Sequence, residues 1–225
     1  MRDLPMSDQN KTGCLILGAG GHGKVVFDAL RADDAWPRIA FVDADPHRIG
    51  AQILGATVLG DDRFLSEARK RGFSHFVVGV GSGGDNRPRR NLFEKGLEAG
   101  LKPATIRHAS ATRAPSARVG EGSVLLAGAI LNPDCAIGRN VIVNTGAIVE
   151  HDCRIGDHAM IAPGAVVLGR ARIGAGAFVG AGAVIRQDIP VGDYAVIGAG
   201  AVVLDPVPDN QRVAGVPARA MKPAG

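Results

Sequence analysis

Residues 143 to 169 read VNTGAIVEHDCRIGDHAMIAPGAVVLG. Aliphatic side chains recur at Val143, Val149, Ile155, Ile161 and Val167, a step of six. A helix repeats every 3.6 residues and a strand every two, so neither accounts for it. The step continues outward through Val119, Leu125, Leu131 and Ile137 on one side. On the other it runs through Ile173, Val179, Ile185, Val191, Ile197 and Val203, giving fifteen successive aliphatic positions. Two residues before each stands a small residue, except at Val141 and Ile189, and glycine often follows. Each hexapeptide then reads as one flat side of a prism, a short strand and a turn. Three sides close one coil, and such repeats bury a core only by stacking. The fifteen hexapeptides predict a parallel β-helix of about five coils.

Composition agrees. Of 225 residues, 32 are glycine and only 4% are aromatic, so the core must be built from Val, Ile, Ala and Leu around tight turns. The net charge of +4 comes without basic runs interleaved with aromatics, which argues against nucleic acid. Cys14, Cys135 and Cys153 show no metal-ligand spacing and read as small buried residues of a reducing compartment. No apolar run reaches the roughly 20 residues that span a bilayer. A cytoplasmic protein without membrane insertion is the expectation. The polar start, residues 1–12, is expected to fray.

Residues 13–106 follow another rule. A short apolar run from Cys14 ends in glycines, and a helical pattern (Val25, Val26, Ala29, Leu30) follows. Strands are expected at 39–42 and 76–80, a weak extended piece at 56–59, and helices at 62–71 and 86–99. Alternating strands and helices imply a small parallel sheet with crossover helices, a Rossmann-like half. Gly18-Ala-Gly20-Gly21-His22-Gly23 fits G-x-G-x-x-G after a strand, and Asp43 follows at the end of the next one. Backbone N–H groups at such a turn hold phosphate. There is room for one mononucleotide half, so a nucleoside diphosphate fits better than a dinucleotide.

Within the repeats, His151 and Asp152 interrupt small and aliphatic residues. Lying just past inward-facing Val149, they belong on an outer face or corner. A surface His–Asp pair is the plain reading. The functional one is a general base oriented by a carboxylate. Cys153 occupies an inward small-residue position, unsuited to a nucleophile.

The repeat [aliphatic]-Gly-x-x-[small]-x and the tail RVAGVPARAMKP at 212–223 resemble the hexapeptide-repeat acyltransferases. This likeness implies that residues 107–225 form a left-handed β-helix with a C-terminal tail, that acetyl-CoA is the acyl donor, and that the chain works as a homotrimer with sites between prisms. NTGAIVEHD (144–152) and GAGGHGKVV (18–26) further resemble the nucleotide-sugar N-acetyltransferases and sialic acid O-acetyltransferases. By that resemblance His151 is the catalytic base and Asp152 its partner, while Asn144 lines the sugar pocket. Gly20, Gly21, His22, Asp43 and, more weakly, Gly81 hold the nucleotide sugar. Coenzyme A meets Gly169, Gly180, Ala181, Ala199 and Met160, where many relatives carry a second histidine. His158 is a lesser candidate for ligand contact. Arg212, Arg219 and Lys222 either meet coenzyme phosphates or are ordinary surface charge. The likeness leans towards enzymes that acetylate the 4-amino group of GDP-perosamine, without metal. UDP-4-amino sugars and sialic acid are the other acceptors considered. A binding scaffold, a β-helix carbonic anhydrase and an NAD oxidoreductase are the rivals from other classes.

Overall fold

The computed structural model describes residues 13–32 and 36–221. Residues 1–12, expected to fray, and Lys222 lie outside the described residues. The front part is a four-stranded parallel sheet. Strands β1 (Gly13–Leu17), β2 (Ile39–Val42), β5 (Phe73–Val78) and β6 (Lys102–Pro103) run in the order β2-β1-β5-β6. β3 (Gln52–Ile53) and β4 (Ala56–Thr57) form a separate hairpin. Helix α1 (Gly21–Ala32) covers one side of the sheet and α2 (Arg87–Glu98) the other. β1 is buried along its whole length, as expected of a central parallel strand. The helix expected at 62–71 is only a 3-10 segment, Asp62–Glu67. Of that stretch only Leu65 and Ala68 are buried, an apolar stripe too small to hold a longer helix.

From Ile106 the chain coils. Strands pair in parallel with those 18 residues later, as Val124 with Ile142 and Ile142 with Met160, until the last coil, where Val196 pairs with Arg212. Three faces result, carrying seven, six and five parallel strands. The coil therefore makes about six turns, one more than the sequence reading, because it starts at Ile106–Arg107 and Thr112–Arg113. At those two strands the inward column holds exposed Arg107 and Arg113, since the open end of a prism faces water. The aliphatic column and the small residues two places before it fill the prism axis. Each such Val or Ile contributes about 1.5–3 kcal/mol on burial. Most corners carry one residue with positive φ, and Asp134, Asn140, Asp152, His158, Arg170, Asp188 and Tyr194 take it where glycine does not.

The α/β unit sits on the first face. Ile106, Val124, Ile142 and Met160 of that face share one apolar cluster with α1 and β1. α2 reaches the adjoining corner, where buried Asn86 donates to Gly176 O and Ala177 O, both at 3.1 Å. Among the described residues, no helix is long and apolar enough to cross a membrane.

Candidate active site

His151 follows the second face, at its corner with the third. The chain turns there through Asp152, whose φ is +61°, and this swings the carboxylate back onto its neighbour. His151 Nδ1 lies 2.8 Å from Asp152 Oδ2. A carboxylate only accepts, so Nδ1 carries a proton, and in the neutral ring Nε2 is the nitrogen with the lone pair. Both side chains are about half exposed, at 50% and 52%. One coil on, Gly169 meets the ring: a Cβ built there would stand 2.7 Å from both Nε2 and Cε1 of His151. Among the described residues the Gly169 N–H has no acceptor. His151, Asp152 and Gly169 therefore form one local group with a free basic nitrogen and a free donor.

The same corner holds a feature the sequence reading missed. Arg170 and Asp188 continue the column of Asp152 at intervals of 18, and Arg170 grips Asp188 through Nε at 2.7 Å and Nη2 at 2.8 Å. That hydrogen-bonded guanidinium holds the exposed Asp188 carboxyl below its ordinary range. Stepping by 18 instead of six would have exposed the column.

Asn144 stands elsewhere, at the corner between the first and second faces, and its Oδ1 accepts from Thr145 N at 2.8 Å. Gly180, Ala181 and Ala199 lie on that same corner, in later coils. Ala181 and Ala199 are exposed, giving a smooth strip of small residues. The second face separates this strip from the His151 corner. Between the two corners it presents Ile130, Ile148, Val166, Val184 and Val202, all half-buried in the single chain.

Met160 has a side chain that is 6% exposed and packs in the apolar cluster between the coil and the α/β unit. His158 behaves alike. It is buried, with its ring 5.6 Å from that of Phe93 and Nδ1 3.0 Å from Asn140 Nδ2, and burial lowers its pKa. Cys153 is buried too, and desolvation pushes its thiol up to about 12, far from a usable nucleophile. Arg212 and Arg219 are exposed near the end of the coil.

In the α/β unit the expected ligand residues do meet. Gly20, Gly21, His22, Asp43 and Gly81 line one cavity of about 270 Å³, with Arg48 and Val80. It opens at the carboxyl ends of β1, β2 and β5, where open α/β sheets bind ligands. Asp43 braces the glycine loop: Oδ2 accepts from Ala19 N at 2.6 Å and Oδ1 from Asp45 N at 2.9 Å. Arg48 ties the same turn by donating to Ala19 O at 2.7 Å. Among the described residues His22 Nε2 is buried without a partner. Burial, helped by the positive charge of Arg89, lowers the His22 pKa to about 3, so the ring is neutral.

Comparison with known proteins fits this two-part layout. Residues 14–96 match the family model described as the PglD N-terminal domain. Residues 137–169 and 170–205 match the bacterial transferase hexapeptide repeats. The fold superposes on PerB from Caulobacter crescentus, solved with CoA and GDP-perosamine, at TM-score 0.87 and 40% identity, covering 93% of this chain and 97% of that one. A histidine-to-asparagine variant of the Caulobacter perosamine N-acetyltransferase, with the same two ligands, gives TM-score 0.88 at the same identity and coverage. The acetyltransferase domain of PglB from Neisseria gonorrhoeae gives TM-score 0.87 and 37% identity, over 93% of this chain and 100% of that one. No match to the chain was found among curated proteins.

Proposed function

The chain belongs to the nucleotide-sugar N-acetyltransferases built from a PglD N-terminal domain and hexapeptide repeats, and on that premise we propose that it acetylates the 4-amino group of a nucleotide-linked 4-amino-4,6-dideoxy sugar, with GDP-perosamine the first candidate. The acyl donor in this reading is acetyl-CoA; a PglB acetyltransferase domain of the same fold was solved with acetyl coenzyme A. The observation that carries the reading is the His151–Asp152–Gly169 group. Asp152 fixes the tautomer that leaves Nε2 free, and Nε2 accepts the proton of the acceptor amine as nitrogen attacks the thioester. The Gly169 N–H meets the charge that develops on the acyl oxygen. The coenzyme thiolate leaves directly, and no residue of this chain needs to carry the acetyl group.

The acceptor's nucleotide belongs in the glycine-loop cavity, and pantetheine along the small-residue strip of Gly180, Ala181 and Ala199. That strip and His151 flank the apolar second face from opposite sides. A threefold arrangement about this face would bring the His151 corner of one copy to the Asn144 and Gly180 corner of the next. The reading therefore includes a homotrimer with three shared sites.

The test is release of coenzyme thiol against UDP-, GDP- and dTDP-linked 4-amino sugars and free sialic acid. Release is expected with a nucleotide-linked amine and not with sialic acid. His151→Asn should lower kcat by about 10²–10⁴-fold with coenzyme binding retained. Turnover unchanged by that substitution would refute the base assignment.

A further inference from the structure

Arg89 is the most deeply buried charge in the described chain, 1% exposed, and it stands in an unfavourable place. It lies in the first turn of α2, beside Arg87 and Arg90 and with no acidic residue, where the helix dipole opposes positive charge. Its guanidinium donates only to uncharged oxygens: Val78 O at 3.5 Å, Val80 O, and Asn140 O and Oδ1 at 3.2 and 2.9 Å. Its Nε has no partner among the described residues. Stability alone gives little reason for such a group, since a packed apolar side chain usually does as well.

Its position supplies a reason. Val80, whose carbonyl it holds, lines the glycine-loop cavity, and so does His22, the second side chain with a buried, unpartnered nitrogen among the described residues. Beneath that cavity, then, lie one positive charge without a counter-charge and one free ring nitrogen, at the carboxyl ends of the strands where anions are received. Asn140, on the coil, closes the other side of the guanidinium, so the charge is locked at the junction of the two units.

We propose that Arg89 is an electrostatic positioning residue for the acceptor: the junction keeps it without a carboxylate so that the diphosphate of a nucleotide sugar supplies the missing negative charge. Arg89 does not touch the phosphates. It acts through its field in a poorly solvated interior and by fixing the end of β5 that forms the cavity wall. The inference rests on the nucleotide-sugar reading above.

Calorimetric titration of the full chain with nucleoside diphosphates and the matching monophosphates tests it, since the two differ by about one charge. Three variants are compared. Arg89→Met removes the charge, and Arg89→Lys keeps it. Asn140→Asp, nearly isosteric, places a permanent carboxylate on the 2.9 Å contact. Wild type should prefer diphosphate over monophosphate by about tenfold or more, one screened charge pair's worth. Arg89→Met and Asn140→Asp should collapse that ratio towards one, and Arg89→Lys should retain it. Equal loss for both ligands in the variants, or an unchanged ratio in Asn140→Asp, overturns the inference while leaving the nucleotide reading intact. A wild-type chain that binds no nucleoside diphosphate overturns both. Should Arg89→Met fail to fold, Asn140→Asp decides the matter.

Discussion

At the scale of single residues, the chemistry depends on how one imidazole is held. His151 has two neighbours that matter, and one was readable from order alone. Asp152 is adjacent in sequence, and its positive φ turns it back onto Nδ1. Gly169 was marked only by family resemblance; its physical role became visible in space. Any Cβ at 169 would stand 2.7 Å from the ring's Nε2 and Cε1. The ring is half exposed and can swing away, so Gly169→Ala should spare the fold and harm the geometry. We expect a Tm within about 2 °C of wild type and kcat lower by about 10²-fold, the cost of displacing a reacting group by roughly an ångström. Thermal melts beside the thiol-release assay check this; full activity in the alanine variant would remove the ring–glycine contact from the mechanism. Met160 shows the opposite lesson. The family resemblance set it against the coenzyme, and its side chain faces an apolar layer that the repeat says nothing about.

At the scale of elements, the hexapeptide is the unit, and stacking is what sets its tolerance. The column of Val and Ile was legible throughout its length because every one of those side chains meets the same dry axis. The first coil escaped detection because Arg107 and Arg113 sit at the open, wet end of that axis. The glycines after the inward residues answer to the next coil. A Cβ on Gly156 would lie 2.6 Å from Ala175 N and 2.8 Å from Gly174 C, both backbone atoms that no rotamer change can move. Gly156→Ala should therefore cost about 1–3 kcal/mol, as overpacking does, by prying adjacent coils apart. Denaturant melts measure it, and a variant as stable as wild type would show that the coils have slack. In the front unit the strand–turn–helix start was equally legible. The 62–71 segment was not, since its charges suited a helix while its few buried residues could not hold one.

For the whole molecule, the three faces of the prism have different fates. The α/β unit covers the first face, and arginines 118, 154 and 172 line the third. The second offers a ladder of half-buried Ile and Val between the two corners that carry the candidate residues. Burying that ladder between copies is what would unite His151 with the small-residue strip. Val166→Glu places a charge on it without entering the prism core. We expect this variant to run as a monomer in light-scattering chromatography, to keep its coil by circular dichroism, and to lose at least about tenfold in turnover. A monomeric variant with full activity would mean that each chain carries a complete site of its own.

The sequence by itself determined the period, and with it the prism, because a side chain every six residues along one axis is a local rule repeated in order. It also determined the glycine turn of the front unit, since both ends of that turn are close in the chain. Only the tertiary structure decided that the α/β unit rests on the first face, that Met160 and His158 serve that junction, and that Arg89 is buried there without a counter-charge. Those facts depend on which surfaces of two separately coded units exclude water from each other, and no spacing along the chain records that.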